Sequence, residues 1–320
     1  MVDLQDILSH NAQISSVLPA DLVAVFVGAT SGIGAATLRA FAKYTRRPRV
    51  YFVGRSEVAA NTIIEECTTL NPHGAYIFIQ AYVSLLRVVD EVCSDIRARE
   101  KGLNVLFLSP GNIHLLTALC HYSRLRFITQ LLPLLQSASS LRRIISVGAA
   151  GFEGPLDTSD LPAMRVPPGQ IRGHISSLIT LGIEAVAREA PSVSFSHSYP
   201  GTVNTPLTRR LLATSDVPTD VTIPIDWMAA DESGERHMFL LTSARYPSKE
   251  DGRGNTQAIL GSNGRLGSGV YAVGLDAEPS DLEAIKFLDT LRNDNLIDLV
   301  WEHTKSVFLS IIGNKTNVIK

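Results

Sequence analysis

Short runs of β-branched and aromatic residues alternate along the chain with longer stretches whose apolar residues recur at helical spacing. Several short runs are apolar at odd and even positions alike, which is typical of strands buried on both faces of a parallel sheet. The predicted strands are Leu22–Val27, Arg49–Val53, Ala75–Gln80, Asn104–Leu108, Arg142–Val147, Ser192–Ser198 and Gly267–Gly274. The predicted helices between them are Gly32–Tyr44, Glu57–Leu70, Leu85–Arg99, Leu115–Gln136 and Gly169–Ala190. This alternation predicts an α/β fold in which right-handed βαβ units build a doubly wound parallel sheet with helices on both faces.

Three further segments complete the predicted organisation. We expect an N-terminal helix over residues 1–20 and a C-terminal helical extension over residues 279–320. Between residues 204 and 245 the periodicity weakens around TSDVPTDVTIP, which we interpret as a lid or substrate loop with short helices. Its apolar side chains suit a bulky, largely apolar small molecule, and they are Leu211, Leu212, Ile223, Ile225, Trp227 and Met228. We expect residues 1–320 to form a single domain.

Composition and charge narrow the class of protein. The chain is 45% hydrophobic and carries 29 basic and 31 acidic residues, which are scattered rather than clustered. The hydrophobic fraction is sufficient for a core. The scattered and nearly balanced charges argue against a nucleic-acid surface or a polybasic membrane patch. No apolar run approaches the roughly 18–20 residues of a membrane span, and the acidic N-terminus is unlike a secretory signal. We therefore expect a soluble cytoplasmic protein without nucleic-acid or membrane partners.

The cysteines do not indicate a metal site or a disulfide framework. Cys67, Cys93 and Cys120 are odd in number and have no CxxC spacing. We expect them to be small buried residues in a reducing compartment. No His, Cys or Asp cluster has the spacing of metal ligands, so the sequence implies no metal.

The segment GATSGIG directly follows the first predicted strand and opens the helix after it. A glycine permits the tight turn, another lets a pyrophosphate approach the backbone, and the helix N-terminus offers unpaired N–H groups. The motif predicts a Rossmann-type fold with a nucleotide at this turn, and a tight turn without any ligand is the alternative. The residues of the predicted cofactor turn are Gly28, Thr30, Ser31, Gly32, Ile33 and Gly34.

The end of the second predicted strand bears on which dinucleotide would bind. No Asp or Glu occurs between Leu22 and Ser56, whereas an acid at this point would bind the ribose 2′-hydroxyl of NAD. Instead Arg55 and Ser56 follow Gly54, and an arginine beside a hydroxyl suits a 2′-phosphate. We therefore expect NADP(H), with a solvated loop arginine as the alternative.

With VFVGATSGIGAATLRAFAK and SYPGTVNTPL, the chain resembles the short-chain dehydrogenase/reductase family from about Leu22 to Leu207. The segments HYSRLRFITQLLPLL, FLLTSARYPS and WEHT, with the extra N-terminal helix, resemble a divergent fungal branch. The resemblance implies an NAD(P)-dependent oxidoreductase that assembles as a homodimer or homotetramer. It also implies that the loop after the sixth strand, with Pro200 and Gly201, faces the nicotinamide through its backbone and a threonine, which is Thr202 or Thr205.

The family's catalytic Asn, Ser, Tyr and Lys are all missing here. Their positions fall near His121, Ala149, Arg172 and Ser176, the last two in the stretch IRGHISSLITL. An error of register does not restore the Tyr and Lys. The chain has no Tyr between positions 122 and 199 and no Lys between positions 101 and 249. Protonation of a substrate oxygen after hydride transfer would therefore need a different acid.

Two features on the cofactor side are also altered. The family's NNAG turn after the fourth strand is LSPG here, at Leu108–Gly111. The acid that the family commonly places after the third strand is replaced by Tyr82. Tyr82 either stacks on an adenine or packs as an ordinary aromatic side chain, and the second interpretation is preferred.

Polar residues at the carboxyl ends of the predicted strands are the candidates for new chemistry. Histidine is a natural substitute for the lost Tyr because its pKa lies near neutrality. Other polar groups expected at the same edge are His114, Ser176 and Ser177, and Arg172 could bind an anionic group or a phosphate. Each candidate has a structural alternative, such as a helix cap or a strand-end hydrogen bond. The predicted catalytic residues, in order of preference, are His174, Tyr199, His121 and Ser146.

Two functions from different classes follow. The first is an NADP(H)-dependent oxidoreductase with a non-standard acid, acting on a bulky apolar molecule of specialised metabolism. The second is an isomerase, cyclase or dehydratase that uses His174 or Tyr199 and needs no cofactor. A non-catalytic binding protein is the third and least favoured option. The fold by itself does not decide among the three.

Overall fold

The computed structural model describes residues 2–111, 115–213 and 227–313. The strands are β1 Val23–Val27, β2 Arg49–Gly54, β3 Ala75–Gln80, β4 Val105–Leu108, β5 Arg143–Val147, β6 Ser194–Ser198 and β7 Val270–Val273. The helices are α1 Leu4–Val17, α2 Gly32–Tyr44, α3 Glu57–Leu70, α4 Leu86–Arg99, α5 Ser123–Ser137, α6 Pro168–Ala187, α7 Pro206–Ala213, α8 Ala230–Thr242, α9 Leu282–Asn293 and α10 Leu296–Gly313. A short π-helix, Ala118–Tyr122, leads into α5.

The strands form one parallel sheet in the order β3-β2-β1-β4-β5-β6-β7. The central strand β1 pairs with β2 on one side and β4 on the other, and Val25 lies opposite both Tyr51 and Leu106. The order of the strands therefore reverses between β1 and β4, where open α/β folds bind ligands at the carboxyl ends. The predicted doubly wound fold is confirmed.

The two faces of the sheet build two hydrophobic layers from alternate residues of the same strands. Val25 and Leu106 point toward α4, α5, α6 and α10, whereas Phe26 and Phe107 point toward α2 and α8. Both layers are closed to water, so each central strand is apolar on both faces, as the sequence pattern indicated. Burial of this kind supplies most of the folding free energy, at about 25 cal/mol per Å² of apolar surface.

Only part of the predicted lid could serve as one. Its second half is α8, which packs closely on α2: a Cβ on Gly234 would lie 2.7 Å from the Ala36 carbonyl carbon. Met238 and Leu241 of the same helix are buried in the core. Residues 230–242 therefore belong to the helical layer, and this part of the lid prediction is wrong. Residues 214–226, with Ile223 and Ile225, lie outside the described part, as does His114.

Both terminal segments are built into the domain. In α1, the Asn11 side chain donates to the Glu235 carbonyl of α8 at 2.9 Å. The predicted C-terminal extension forms α9 and α10, and α10 packs on α6 and α4 with Val300 fully buried. In the ranges the structure describes, helices fall short of the length and apolar character needed to cross a membrane.

The cysteines are free thiols. Cys67 and Cys93 are buried in opposite helical layers, and burial raises the pKa of each thiol to about 12. Such thiols stay protonated and unreactive at neutral pH.

Candidate cofactor and substrate site

The glycine-rich turn between β1 and α2 has no room for side chains. Gly28 has a φ of +82°, and a Cβ there would lie 2.7 Å from the Pro110 backbone nitrogen. A Cβ on Gly34 would lie 2.5 Å from the Gly28 carbonyl oxygen. Ser31 is the exposed N-cap of α2, and its side chain makes no capping hydrogen bond. The turn thus presents bare backbone and a free helix N-terminus, which is the geometry that suits a phosphate.

The segment after β6 forms the facing wall. The methyl group of Thr205 would contact a Cβ on Gly32 at 3.2 Å, and Leu207 lies against Gly111. The hydroxyl of Thr205 accepts the Thr208 N–H at 3.1 Å and so caps α7. The structure therefore brings the two predicted cofactor segments together, and Thr205 also has a structural function.

Residues Pro200 to Thr202 continue this wall from the end of β6. Gly201 has a φ of +76°, a conformation that glycine adopts without strain. The Thr202 carbonyl accepts the Met228 N–H at 3.0 Å, and Asn204 N–H donates to the Met228 carbonyl. These bonds hold the start of the segment before α7 in place.

At the end of β2, the side chains of Arg55 and Ser56 have different environments. Ser56 Oγ accepts the Ala59 N–H at 3.2 Å, so its hydroxyl caps α3. Arg55 is exposed, and no hydrogen bond to its guanidinium occurs among the described residues. Gln80 at the end of β3 donates to the Arg55 carbonyl at 3.0 Å and anchors its backbone. Within the described ranges, Arg55 is therefore a cation without a partner on an anchored backbone.

Tyr82 does not pack as an ordinary aromatic side chain. Its side chain is 61% exposed, directly after the strand that pairs with β2. The preferred interpretation from the sequence is thus wrong. The exposed ring and Arg55 extend from neighbouring strands at the same edge of the sheet.

His174, the first candidate for catalysis, is fully buried near the start of α6. Its Nδ1 accepts the Asp157 backbone N–H at 3.2 Å, and its Nε2 lies 3.1 Å from the Leu161 carbonyl, to which it donates. Both ring nitrogens are engaged by one loop. The contacts give His174 the function of holding residues 157–161 on α6 and do not fit the catalytic assignment.

His121 also lies away from the glycine-rich turn. It is buried between the π-helix, α6 and α10, and its Nε2 donates to Thr304 Oγ1 at 2.8 Å. Burial lowers the pKa of His121 to about 3. Since the ring is neutral and enclosed by helices, this geometry does not support a catalytic role either.

Ser146 ends β5 as predicted, but it is fully buried. Its Oγ accepts a hydrogen bond from Arg124 Nη1 at 2.7 Å. Arg124 also donates to the carbonyl groups of Leu119, Val147 and Pro110, and burial lowers its pKa. Arg124 thus joins the carboxyl ends of β4 and β5, and Ser146 is one of its acceptors. The sequence pattern did not single out Arg124, which sits in an amphipathic helix among other arginines.

A second buried polar cluster was missed from the sequence. The Ala149 N–H donates to His197 Nε2 at 3.0 Å, so Nδ1 carries the proton and donates to Thr180 Oγ1 at 2.8 Å. The Thr180 hydroxyl donates in turn to Glu153 Oε1 at 2.7 Å. The one signal in the sequence was a histidine in the apolar register of a strand, at SFSHS.

The Glu153 carboxylate is held in this cluster by hydrogen bonds from the Thr180 hydroxyl and the Gly151 N–H. Burial by itself would raise the pKa of Glu153, but the nearby His197 ring, whose Nδ1 lies 3.6 Å from Glu153 Oε1, and the hydrogen bond from Thr180 outweigh it and keep that pKa below its usual value. Burial lowers the pKa of His197, which is neutral beside the carboxylate. The cluster therefore fixes the loop between β5 and α6 from inside.

The side chains at and beside the family's Tyr and Lys positions contact the loop between β5 and α6. Ser176 Oγ donates to the Ala149 carbonyl at 2.5 Å, and Ser177 Oγ donates to the Gly154 carbonyl at 2.6 Å. Arg172, at the Tyr position, lies on the ring of Phe152 with Tyr199 beside it. Tyr199 is half-buried, and no hydrogen bond to its hydroxyl occurs in the part of the chain described. Of the predicted catalytic residues, Tyr199 alone combines partial exposure with an unbonded polar atom.

Within the described ranges, no group of three or more His, Cys, Asp or Glu side chains could hold a metal ion.

Comparison with known proteins identifies the class. No protein-family model matches the chain. An oxidoreductase of Emericella nidulans is 38% identical, with 96% of this chain and 98% of the relative covered. An oxidoreductase of Emericella variicolor is 32% identical over 92% of this chain and 93% of its own. A short-chain dehydrogenase/reductase of Stachybotrys chartarum is 28% identical over 88% of this chain and 90% of its own. The chain belongs to the short-chain dehydrogenase/reductase family, in a divergent branch with fungal members.

Solved structures share the fold at low identity. The L-sorbose reductase of Gluconobacter frateurii, in complex with NADPH and L-sorbose, matches with a TM-score of 0.55 and 18% identity over 70% of this chain and 90% of that one. The NADPH-dependent reductase YwfH, involved in bacilysin biosynthesis, matches with a TM-score of 0.56 and 14% identity over 70% of this chain and 92% of that one. These likenesses show that the chain shares the fold of these reductases.

Proposed function

We propose that the protein is an NADP(H)-dependent oxidoreductase that acts on a bulky, largely apolar small molecule of specialised metabolism. The observation that carries the proposal is the free Arg55 guanidinium at the end of β2, where no acid is present to bind a ribose 2′-hydroxyl. An arginine at this point pairs with a 2′-phosphate, which NADP has and NAD lacks.

The residues present fit such a dinucleotide. The turn from Gly28 to Gly34 would hold the pyrophosphate on bare backbone and on the α2 N-terminus. The exposed ring of Tyr82 is available to the adenine. The segment from Pro200 to Thr205 would flank the nicotinamide. When bound, the nicotinamide supplies or accepts a hydride.

Tyr199 is the residue that we assign to proton transfer. It follows β6 at the carboxyl edge of the sheet, and its hydroxyl has no partner in the described chain. His174 and His121 are enclosed and bonded, so they are not free to exchange protons with a substrate. Exposed apolar side chains at the same edge, Phe152 and Leu207 among them, would bury the substrate and exclude water.

A titration with NADPH and NADH, followed by nicotinamide fluorescence, tests the proposal. We expect NADPH to bind at least tenfold more tightly than NADH, because only NADPH offers the 2′-phosphate. Replacing Arg55→Ala removes the cation, so it should weaken NADPH binding about tenfold or more and leave NADH binding unchanged, as expected for one charge-assisted contact of about 1.5–3 kcal/mol.

Arg253→Ala is the matched control, since Arg253 is an exposed loop arginine that also lacks a hydrogen bond among the described residues. It should leave both affinities at the wild-type value. Equal affinity for the two nucleotides would contradict the NADP(H) assignment, and the absence of binding to either would contradict the redox function.

A second candidate function has one observation in its favour. Thr205 and Leu207 already contact the glycine-rich turn and its neighbour Gly111. A site closed in this way could work without a dinucleotide, as an isomerase, cyclase or dehydratase that uses Tyr199. The same titration separates the two functions, because a redox-neutral enzyme would bind neither nucleotide.

A further inference from the structure

Arg172 is an exposed cation without a counter-ion at the site. It lies in the first turns of α6, and its guanidinium has neither a hydrogen bond nor an ion pair among the described residues. The acids of the adjoining loop have other partners, and Asp160 accepts the Met164 and Arg165 N–H groups. Glu153 is completely buried and bonded to Thr180, and Asp157 accepts the Ser159 N–H and hydroxyl. The positive charge is therefore available to a ligand.

Two aromatic rings hold the guanidinium in one orientation. Its Cζ atom lies 3.4 Å from the centre of the Phe152 ring and 5.2 Å from the centre of the Tyr199 ring. The two rings meet edge to face, with centres 4.7 Å apart. A ring that covers the flat face of a guanidinium leaves the N–H groups along its edge free to donate.

The backbone beneath this cluster is rigid. Gly154 and Gly173 touch: a Cβ on Gly173 would lie 2.9 Å from the Gly154 α-carbon. The Gly154 N–H donates to the Gly173 carbonyl, and Ser177 bonds to Gly154 as well. Since α6 and the loop after β5 are held together so closely, Arg172 is placed on Phe152 before any ligand arrives. An oriented donor loses less conformational entropy on binding than a flexible one.

The cluster stands where a substrate would enter. Phe152 follows β5, Tyr199 follows β6, and Arg172 lies in the first turns of the helix between them, all at the carboxyl edge of the sheet. Tyr199 directly precedes the Pro200–Thr205 wall that faces the glycine-rich turn. The cluster thus lies on the substrate side of the proposed cofactor site.

We propose that Arg172 is the residue that selects the substrate, and that it binds a carboxylate on an otherwise apolar, planar molecule. The edge of the guanidinium can donate two parallel hydrogen bonds to the two oxygens of a carboxylate. Phe152 and Tyr199 would contact the apolar part next to that group. This inference rests on the proposed function, because it names the substrate class for the same site.

Calorimetric titration of the full-length protein with matched carboxylate and amide pairs tests the proposal. The pairs are benzoate and benzamide, cinnamate and cinnamamide, and 2-naphthoate and 2-naphthamide, each with and without saturating NADPH. We expect at least one carboxylate to bind tenfold more tightly than its amide. Arg172→Gln should reduce that ratio to about one without weakening amide binding, and Arg172→Lys should leave an intermediate ratio.

Arg87→Gln is the control, because it removes another exposed arginine, which lies at the start of α4 on the same edge of the sheet. It should retain the wild-type ratio. The proposal is overturned if no pair shows a preference for the carboxylate, or if the preference survives in Arg172→Gln. A carboxylate preference without NADPH binding would refute the redox function alone, and NADPH binding without the preference would refute the substrate class alone.

Discussion

At the scale of single residues, the histidines connect parts of the fold. His174 uses both ring nitrogens on the loop 157–161, and His197 uses both on Ala149 and Thr180. His237 donates from Nδ1 to the Ser233 carbonyl and accepts from Ser198 at Nε2. A buried polar group needs its partners, and these rings have found them. These three rings are therefore not free to take the place of the missing tyrosine.

His174 gives the sharpest test at this scale. Replacing His174→Ala would leave the Asp157 N–H and the Leu161 carbonyl unpaired beside a cavity. We expect the free energy of unfolding to fall by about 2–4 kcal/mol. Urea denaturation measures this change, and NADPH titration of the folded variant should give the wild-type affinity.

His174→Gln is the companion variant, because an amide can keep one of the two bonds and should recover part of the lost stability. If both variants had wild-type stability but lost turnover by a hundredfold or more, His174 would be catalytic after all.

At the scale of elements, the junction of β1 and α2 depends on glycine for space. A methyl group on Gly34 would press on the Gly28 carbonyl oxygen and on Ser109 Oγ. Replacing Gly34→Ala should therefore shift the turn and weaken NADPH binding about tenfold or more. Fluorescence titration measures the affinity, and circular dichroism checks that the variant is folded.

Gly169→Ala is the matched control for this change. Gly169 also lies in the first turn of a helix, but a Cβ there would have no neighbour within 4 Å. We expect its NADPH affinity to match that of the wild type. Wild-type affinity in Gly34→Ala would show that the turn does not hold the dinucleotide.

The helix α6 shows how an element can be kept while its chemistry is lost. Arg172 and Ser176 stand one turn apart, as the family's Tyr and Lys would. Arg172 stacks on the Phe152 ring, and the Ser176 hydroxyl donates a hydrogen bond to the Ala149 carbonyl. The helix still positions the loop after β5, although the proton-transfer pair is absent from it.

At the scale of the whole molecule, buried neutral histidines couple stability to pH. Burial lowers the pKa of His121 to about 3 and that of His237 to about 4. Below pH 6.5 the unfolded chain binds protons that the folded chain does not, so stability falls as the pH drops toward these values. Above pH 6.5 the two histidines are neutral in the folded and in the unfolded chain, so their contribution to stability no longer changes with pH.

The size of this effect follows from the two shifts. For each of these histidines, the free energy of unfolding should fall by about 1.4 kcal/mol per pH unit below 6.5, or by about 2 kcal/mol at pH 5. Urea denaturation between about pH 8 and pH 5 measures the slope. His121→Gln and His237→Gln should each flatten it, since glutamine does not titrate.

The comparison at about pH 8 serves as the control, because any stability lost there reflects missing contacts and not protonation. A slope that is unchanged in both variants would contradict the assignment of these rings as neutral buried groups.

The C-terminal helix α10 packs on α6 and covers this side of the sheet. Val300 and Thr304 of α10 are fully buried, and Thr304 is the partner of His121. In its described part, the predicted C-terminal helical extension thus contributes to the core layer. The homodimer or homotetramer implied by the family resemblance stays a prediction.

The sequence by itself determined the parallel sheet with its crossover helices and the glycine-rich turn. Apolar residues at both parities specify strands buried on both faces, and helical spacing specifies the crossovers between them. The absence of Tyr and Lys from the stretch between β5 and β6 was equally plain from the residue order. These features depend on local spacing, so neighbours along the chain suffice to predict them.

Only the tertiary structure decided which polar side chains are free. His174, His121 and Ser146 were plausible catalysts in the sequence, and each is bonded to a partner from another segment. Arg172, Phe152 and Tyr199 come together from three elements, and no spacing along the chain brings them into one group. A hydrogen-bond partner or a stacked ring is chosen by packing between elements, and for that reason the candidate site could be determined only from the folded chain.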